Sequence, residues 1–462
     1  QPLTDQGIPQ EDFGTVVANQ GGVPAGIYTL RFEGTATATA DGAWENVPGS
    51  VQKSGGVTTM QIDVRTATTG WIGFRGVTTA DPVRNIRMVS NGYDINIAQT
   101  FTDEFLHRLS PFSTLRFMDW NQTNDSRAAN WDERRLPNQT IQTGHQPGFE
   151  SEGGVAWEYM IELANAAQKD AWINVSHLVD DNYVRELARL WRDNLDPSLT
   201  LYVEWSNETW NGLFEQHAGD GHLYDLPGNA GPQTVRIANI FREEFGPAAD
   251  SRLHITLAGQ SVTTFRVNGG IQYMRDQGLV PSDVIDSISI APYFSIPNDS
   301  TAADLDQLFS EMAQRTADIQ AHAAVAQAEG IELISYEAGQ HLAPNIHSQI
   351  PRAVLDAAQH DPRMADAYRD FAAAWASAGG GLVNHFALAQ ADANSGYWAL
   401  LDNIRNPGNT KWDAVLGIVL PPGDATLNHT VDAADLQILH THFGATDAWW
   451  EHGDFHGDRT VT

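Results

Sequence analysis

From Gly26 to Gly73 apolar and polar residues alternate in short runs, IYTLRFEGTATATA, VTTMQIDVRTATTG and WIGFRGVTT, each bounded by glycine or other turn-forming residues. Period-two alternation rich in Thr and Val marks half-buried strands. Residues 1–82 are therefore expected to form a small antiparallel β-sandwich. Past Pro82 the texture changes to short apolar runs separated by stretches of helical period, such as GVAWEYMIELANAAQKD, NYVRELARLWRDNL and the run from Ala302 to Gly330. The apolar runs fall at 84–89, 113–120, 171–178, 200–208, 253–260, 287–294, 331–339 and 381–388. Eight strands alternating with helices over 83–420 predict a (β/α)₈ TIM barrel.

The PPG at 421–423 is a boundary signal. Beyond it, GDATLNHTVD and GDFHGDRTVT align with their Gly-Asp pairs beginning at Gly423 and Gly453, a short internal repeat in place of further βα units. The chain is thus expected to be multidomain: a sandwich at 1–82, a barrel at 83–420 and a short helical module at 421–462.

Composition narrows the function. The 462 residues carry 58 Asp and Glu against 27 Lys and Arg, a formal charge of −31, which would repel phosphate backbones and anionic lipid. Nucleic-acid binding is excluded as a first reading. Hydrophobic residues at 42% place that acidity on the surface of a folded protein. There is no cysteine, so disulfides, thiolate metal sites and cysteine nucleophiles are ruled out together. No apolar run reaches the length of a membrane span, and QPLTDQGIPQ has neither the basic start nor the apolar run of a signal peptide, so a secreted form is expected to have lost its leader already.

In a barrel of this kind reactive groups come from the C-terminal ends of strands and the loops that follow. Those ends carry Arg116 and Asp119 on the second strand, His177 on the third, Asn207 and Glu208 on the fourth, Tyr293 on the sixth and Glu337 on the seventh. Two carboxylates facing each other across the mouth suit glycoside hydrolysis: one donates a proton to the leaving oxygen and the other, ionised, attacks the anomeric carbon. Glu204 is a rival acid, since period two puts it on the same face as Glu208.

WSNE at 205–208 and SYEAG at 335–339 resemble the signature of clan A retaining glycoside hydrolases, the superfamily that includes family-five cellulases and mannanases. The resemblance implies Glu208 as acid/base, Glu337 as nucleophile, Asn207 as the contact to the sugar 2-hydroxyl and Tyr293 as a hydrogen-bond partner of the nucleophile. It matches Arg116 and His177 to basic residues at strands two and three, and Trp398 in SGYWAL to a stacking platform; Trp210 is a further platform candidate. Thr209 stands where that family usually has Pro. The function implied is endo-acting cleavage of a β-linked polysaccharide of cellulose, β-glucan or mannan type, with no catalytic cofactor. Two rivals stay open: a non-catalytic carbohydrate-binding protein, and a metal-assisted hydrolase using His177, His341 and His385, which lack ligand spacing.

In the C-terminal segment, Asp424, Asn428, Thr430 and Asp435 fall at positions 1, 5, 7 and 12 of a calcium loop, with Thr426 at position 3. This resembles a dockerin type I module, with a helix at 433–443 and a second loop begun by Asp454, His456 and Asp458. The resemblance implies calcium, a cohesin-type or surface-anchoring partner, and a secreted or cell-surface bacterial protein. His429 and Arg459 depart from the glycine such turns use, and His456 from an oxygen ligand.

Overall fold

The computed structural model describes residues 4, 8–18, 24–65, 70–90, 92–139, 142, 154–218, 230–296, 305–344, 346–390, 396–405 and 408–462. The start of the helical run expected at 302 and Ser395 of SGYWAL lie outside the described residues. The chain forms two compact units, residues 1–102 with 134–158, and residues 103–133 with 159–462.

The first unit holds eight strands, β1 (Phe13–Ala18), β2 (Gly26–Glu33), β3 (Thr37–Gly42), β4 (Trp44–Asn46), β5 (Gln52–Ser54), β6 (Val57–Val64), β7 (Gly70–Arg75) and β8 (Arg84–Val89). They make two antiparallel sheets, β1-β7-β3 and β4-β6-β2-β8, with β5 added to β6. Alternation sets the faces: Tyr28, Leu30 and Phe32 of β2 and Met60, Ile62 and Val64 of β6 are buried with Trp44, Ile72 and Phe74. Gly70 makes room for this core, because a Cβ there would lie 2.2 Å from the Trp44 ring.

Among the described residues the second unit is built on seven parallel strands, β9 (Thr114–Arg116), β10 (Asp170–Val175), β11 (Leu201–Trp205), β12 (Leu253–Ala258), β13 (Ser287–Ile290), β14 (Glu332–Ala338) and β15 (Val383–His385), neighbours in chain order. They curl into a nearly closed barrel whose end strands β9 and β15 approach one another. The eighth strand expected at 84–89 is not part of it. That segment pairs antiparallel with β2, Leu30 opposite Met88 and Thr29 opposite Val89. Its residues explain why: Arg84, Asn85 and Arg87 interrupt the apolar positions, and Arg84 pairs with Asp81 and Glu33. A strand buried on both faces by helices needs a continuous apolar run, whereas an antiparallel strand with one wet face does not.

Helices between the strands carry apolar stripes of helical period. In Asp181–Asn194 the buried residues are Tyr183, Val184, Leu187, Ala188 and Trp191, and Asp180 caps the start by accepting from the Tyr183 amide. In Thr410–Val419 the cap is Asn409, bonded to the amides of Lys411 and Trp412.

Residues 421–462 pack within the second unit. Trp450 is buried, its indole donating to the Asp424 carbonyl at 2.6 Å and its amide to Asp413 at 3.3 Å. Glu451 pairs with the buried Arg108 and accepts from the Trp412 indole. The sequence repeat is also a structural one. Asp424 accepts from the amides of Asn428 and His429, as Asp454 does from Asp458 and Arg459. His429 and Arg459 both take the left-handed conformation, φ 65° and 67°.

Candidate active site

The site grows from the C-terminal ends of β9, β11 and β14. Strand β11 ends at Trp205, and the backbone then turns through left-handed conformations at Ser206 (φ 56°) and Glu208 (φ 38°). Such backbone is strained for residues with a Cβ and is held by its surroundings. The turn lifts Glu208 to a half-buried position at the mouth, while Glu204 stays inside the strand with no exposure. Glu204 accepts from the Trp172 indole at 2.9 Å and from Arg116 at 3.0 Å. Burial holds its carboxyl above the usual range against the pull of Arg116. The rival acid is thus an internal ion-pair partner.

Arg116, at the end of β9, is the hub. It is buried, donates from Nη1 to Glu337 Oε1 at 2.6 Å, and from Nη2 to Glu204 Oε2 and Asn207 Oδ1, both at 3.0 Å. Its guanidinium stands 5.0 Å from the Tyr336 ring centroid and 5.8 Å from that of Trp172. Asn207 is oriented from the other side, its side-chain nitrogen donating to Asn124 at 3.1 Å and its backbone carbonyl accepting from Gln216 at 2.8 Å.

Glu337 near the end of β14 has both oxygens engaged, Oε1 by Arg116 and Oε2 by the Tyr293 hydroxyl at 2.9 Å. Burial pushes its carboxyl up to about 7; Arg116 and Tyr293 pull it down, and the nearby Glu208 charge pushes it up again. The phenol of Tyr293 is raised by burial and by the two carboxylates it faces. Glu208 accepts from the Tyr336 hydroxyl on Oε1 and from Asn211 Nδ2 on Oε2, each at 2.9 Å. Tyr336 and Asn211 carried no distinctive signal in the sequence. Tyr336 precedes Glu337, and strict alternation would turn it to the opposite face; a register shift between Ser335 and Ala338 in the β14–β15 pairing accompanies the arrival of both side chains at the mouth.

Trp398 packs against His341 and Phe386, each 5.8 Å between ring centres, and His341 in turn lies 5.1 Å from Tyr293. His341 is driven down to about 4 by burial and by His347. Trp210 lines a small pocket with Trp205, Glu208, Thr209, Ala230, Thr234 and Ala258, and the Arg266 guanidinium lies 5.6 Å from its ring centre. His177 is buried beyond β10; burial lowers its pKa and the charges of Glu215 and Asp125 raise it. Among the described residues no group of three or more His, Cys, Asp or Glu is arranged to hold a metal ion. Of the four calcium-loop residues, Asp424 and Asp435 are buried and converge on Thr426, whose hydroxyl donates to Asp424 at 3.3 Å and whose amide donates to Asp435 at 2.9 Å. Asn428 and Thr430 are exposed.

No protein-family model matches the chain, and no curated protein matches it. Among solved structures it is similar to an endo-1,4-beta-xylanase XylE of Penicillium canescens, at 12% identity and TM-score 0.39, covering 70% of this chain and 91% of that one. It is similar to an endo-1,4-beta-xylanase of Caldicellulosiruptor owensensis at 12% identity and TM-score 0.39, covering 66% and 89%. A modular endo-beta-1,4-mannanase of Cellulomonas fimi is matched at 15% identity and TM-score 0.33, covering 66% of this chain and 60% of that one. At such scores the functional reading rests on the site itself.

Proposed function

We propose that this protein is a retaining glycoside hydrolase that cleaves a β-linked polysaccharide of cellulose, β-glucan or mannan type within the chain. The observation that carries the reading is the unequal treatment of two carboxyls at one barrel mouth. Glu337 is buried and fixed at both oxygens by Arg116 and Tyr293, while Glu208 is half-buried on the loop beyond β11. A carboxylate held by a cation and a phenol is oriented for attack, and those two donors oppose the burial that raises it; one at the rim is placed to exchange a proton.

In this reading Glu337 attacks the anomeric carbon as the bond to the leaving oxygen breaks, and that oxygen takes the proton of Glu208. Water, deprotonated by Glu208, then displaces Glu337 from the anomeric carbon, and both carboxyls return to their starting states. Asn207 meets the 2-hydroxyl, Arg116 and Tyr293 hold the nucleophile, and Trp398, Trp210 and His177 line the sugar path. The site needs no cofactor in this scheme. Since a polysaccharide does not cross a membrane, the substrate class favours a secreted or surface-attached enzyme.

The test is reducing-sugar release from β-glucans, mannans and xylans by the wild type, Glu208→Ala and Glu337→Ala, with NMR of the first-formed anomer. Release with retained configuration, lost by at least about 10³-fold in Glu337→Ala, supports the reading; inverted product or full activity in that variant sinks it.

For residues 421–462 the dockerin-like reading is carried forward as part of the proposal. Asp424, Thr426, Asn428, Thr430 and Asp435 offer the hard oxygens calcium prefers, and a cohesin-type partner would bind the same module. Calorimetric titration of the whole protein with calcium checks it; absence of a heat that Asp424→Ala removes would reject it.

A further inference from the structure

The residue before Glu337 has a chemistry of its own. Tyr336 is 1% exposed and lies inside the barrel, packed with Trp172, Ile334 and Ala291. Its hydroxyl donates to Glu208 Oε1 at 2.9 Å, across the mouth from strand to loop. The Arg116 guanidinium lies 5.0 Å from the centre of its ring, and the Trp210 ring 6.5 Å away. One guanidinium therefore binds Glu337 directly and packs over the ring whose hydroxyl holds Glu208.

We propose that Tyr336 is a positioning residue that fixes the orientation of Glu208, tying the proton-handling carboxyl to the strand that carries Glu337. This rests on the glycosidase reading above and adds a distinct role to it. Both Glu208 oxygens accept hydrogen bonds, from Tyr336 and from Asn211. Held at both oxygens, the carboxyl keeps one orientation toward the attacking water whose proton it takes in the second step. In the first step the same carboxyl gives its proton to the leaving oxygen, so the phenol contributes there mainly by fixing the plane of the group.

Tyr336→Phe separates these roles, because the ring beneath Arg116 stays and only the hydroxyl is lost. The probes are 2,4-dinitrophenyl β-cellobioside, β-mannobioside and β-xylobioside, whose leaving group departs without a proton. With the probe the enzyme accepts, kcat is expected to fall by about 10- to 10²-fold, the range for losing a hydrogen bond to a charged group. KM is expected to fall with it, leaving kcat/KM near the wild-type value, and azide, a nucleophile needing no base, restores kcat. On the unactivated polysaccharide kcat/KM falls as well. The charged and titratable groups facing Tyr336 and Glu208 are Glu204 from β11, Arg116 from β9, Glu337 from β14, Tyr293 beyond β13, and Arg266 against Trp210.

Wild-type kinetics in Tyr336→Phe, or an equal loss in kcat and kcat/KM on the activated probe that azide does not relieve, overturns the proposal. Two controls tell this apart from failure of the glycosidase reading. If the wild type releases no dinitrophenolate, or if Glu337→Ala releases it at the wild-type rate, the functional assignment falls and this role falls with it.

Discussion

Glu204 and Glu337, on strands β11 and β14, accept hydrogen bonds from opposite ends of one guanidinium, that of Arg116, at 3.0 and 2.6 Å. All three side chains are buried or nearly so, which leaves little of the charge to be relieved by water. Breaking a buried ion pair by removing one partner commonly costs about 3–5 kcal/mol, because the other charge is left uncompensated. Arg116→Met is therefore expected to lower the melting temperature of the second unit and to abolish activity. Adding Glu204→Gln to it is expected to recover stability without recovering activity, since Glu337 still lacks its partner. Thermal denaturation and initial rates on both variants check this; an Arg116→Met protein as stable as the wild type would contradict it.

The pH dependence follows from Glu337. Its carboxyl is raised by burial to about 7 from an unfolded value of 4.5. A carboxyl with a raised native pKa binds its proton more tightly when folded, so its contribution to stability is greatest below pH 4.5 and falls as pH rises to about 7. The full span is about 3 kcal/mol at 1.36 kcal/mol per unit. Catalysis requires the opposite state, the ionised one, and so the acid limb of kcat/KM is expected near pH 7. Because Glu208 interacts with Glu337, that limb belongs to the pair. Glu337→Gln should lessen the fall of stability between pH 4.5 and 7 by that contribution, Asp413 and Glu204, also raised by burial, keeping theirs; urea titrations at several pH values measure it, and an unchanged slope would refute the assignment.

The C-terminal segment is expected to act on barrel stability. Trp450 is 4% exposed and joins Asp424 to Asp413, and Glu451 caps the buried Arg108. Trp450→Ala leaves a cavity against the helix Thr410–Val419 and should cost about 3–5 kcal/mol. Calorimetric unfolding detects this as a downward shift of the second unit's transition. A tail that melts alone with no shift of that transition would show the packing to be energetically idle.

The parts of this architecture that sequence pattern reveals are those governed by local period. The alternation in β2 and β6 and the apolar runs of β10, β11 and β14 read directly, and Arg116, Tyr293 and Glu337 stand together because strand ends in a parallel barrel converge. Residues 84–89 read as an apolar run like the barrel strands, yet Arg84, Asn85 and Arg87 mark a half-exposed antiparallel strand. Tyr336 was invisible for a different reason: the irregular β14–β15 register that accompanies two successive side chains at one mouth is a tertiary event. The repeat of Asp424 and Asp454 was legible because each side chain builds its turn from amides four and five residues on, a purely local device.

Lys411 supplies an opposite pH signature within the same unit. It is 2% exposed, with Nζ donating to Gln359 Oε1 at 3.0 Å and the Tyr397 carbonyl at 2.9 Å, two neutral acceptors. Burial lowers it to about 7 from 10.5, with Asp402 opposing the shift. A lysine lowered in the native state binds its proton less tightly than in the unfolded chain. It therefore destabilises fully below pH 7, and stability recovers as pH rises toward 10.5, by up to about 5 kcal/mol at 1.36 kcal/mol per unit. Lys411→Met should raise stability at pH 6 and flatten the rise between pH 7 and 10, less the cost of leaving Gln359 and Tyr397 without their donor, about 1–3 kcal/mol. Since the Tyr397 carbonyl also accepts from Gln340 beyond β14, the variant tests whether the cation or the hydrogen bonds hold this loop. Stability that drops equally at pH 6 and pH 9 assigns the role to the hydrogen bonds, and a gain confined to the acid side assigns the cost to the buried charge.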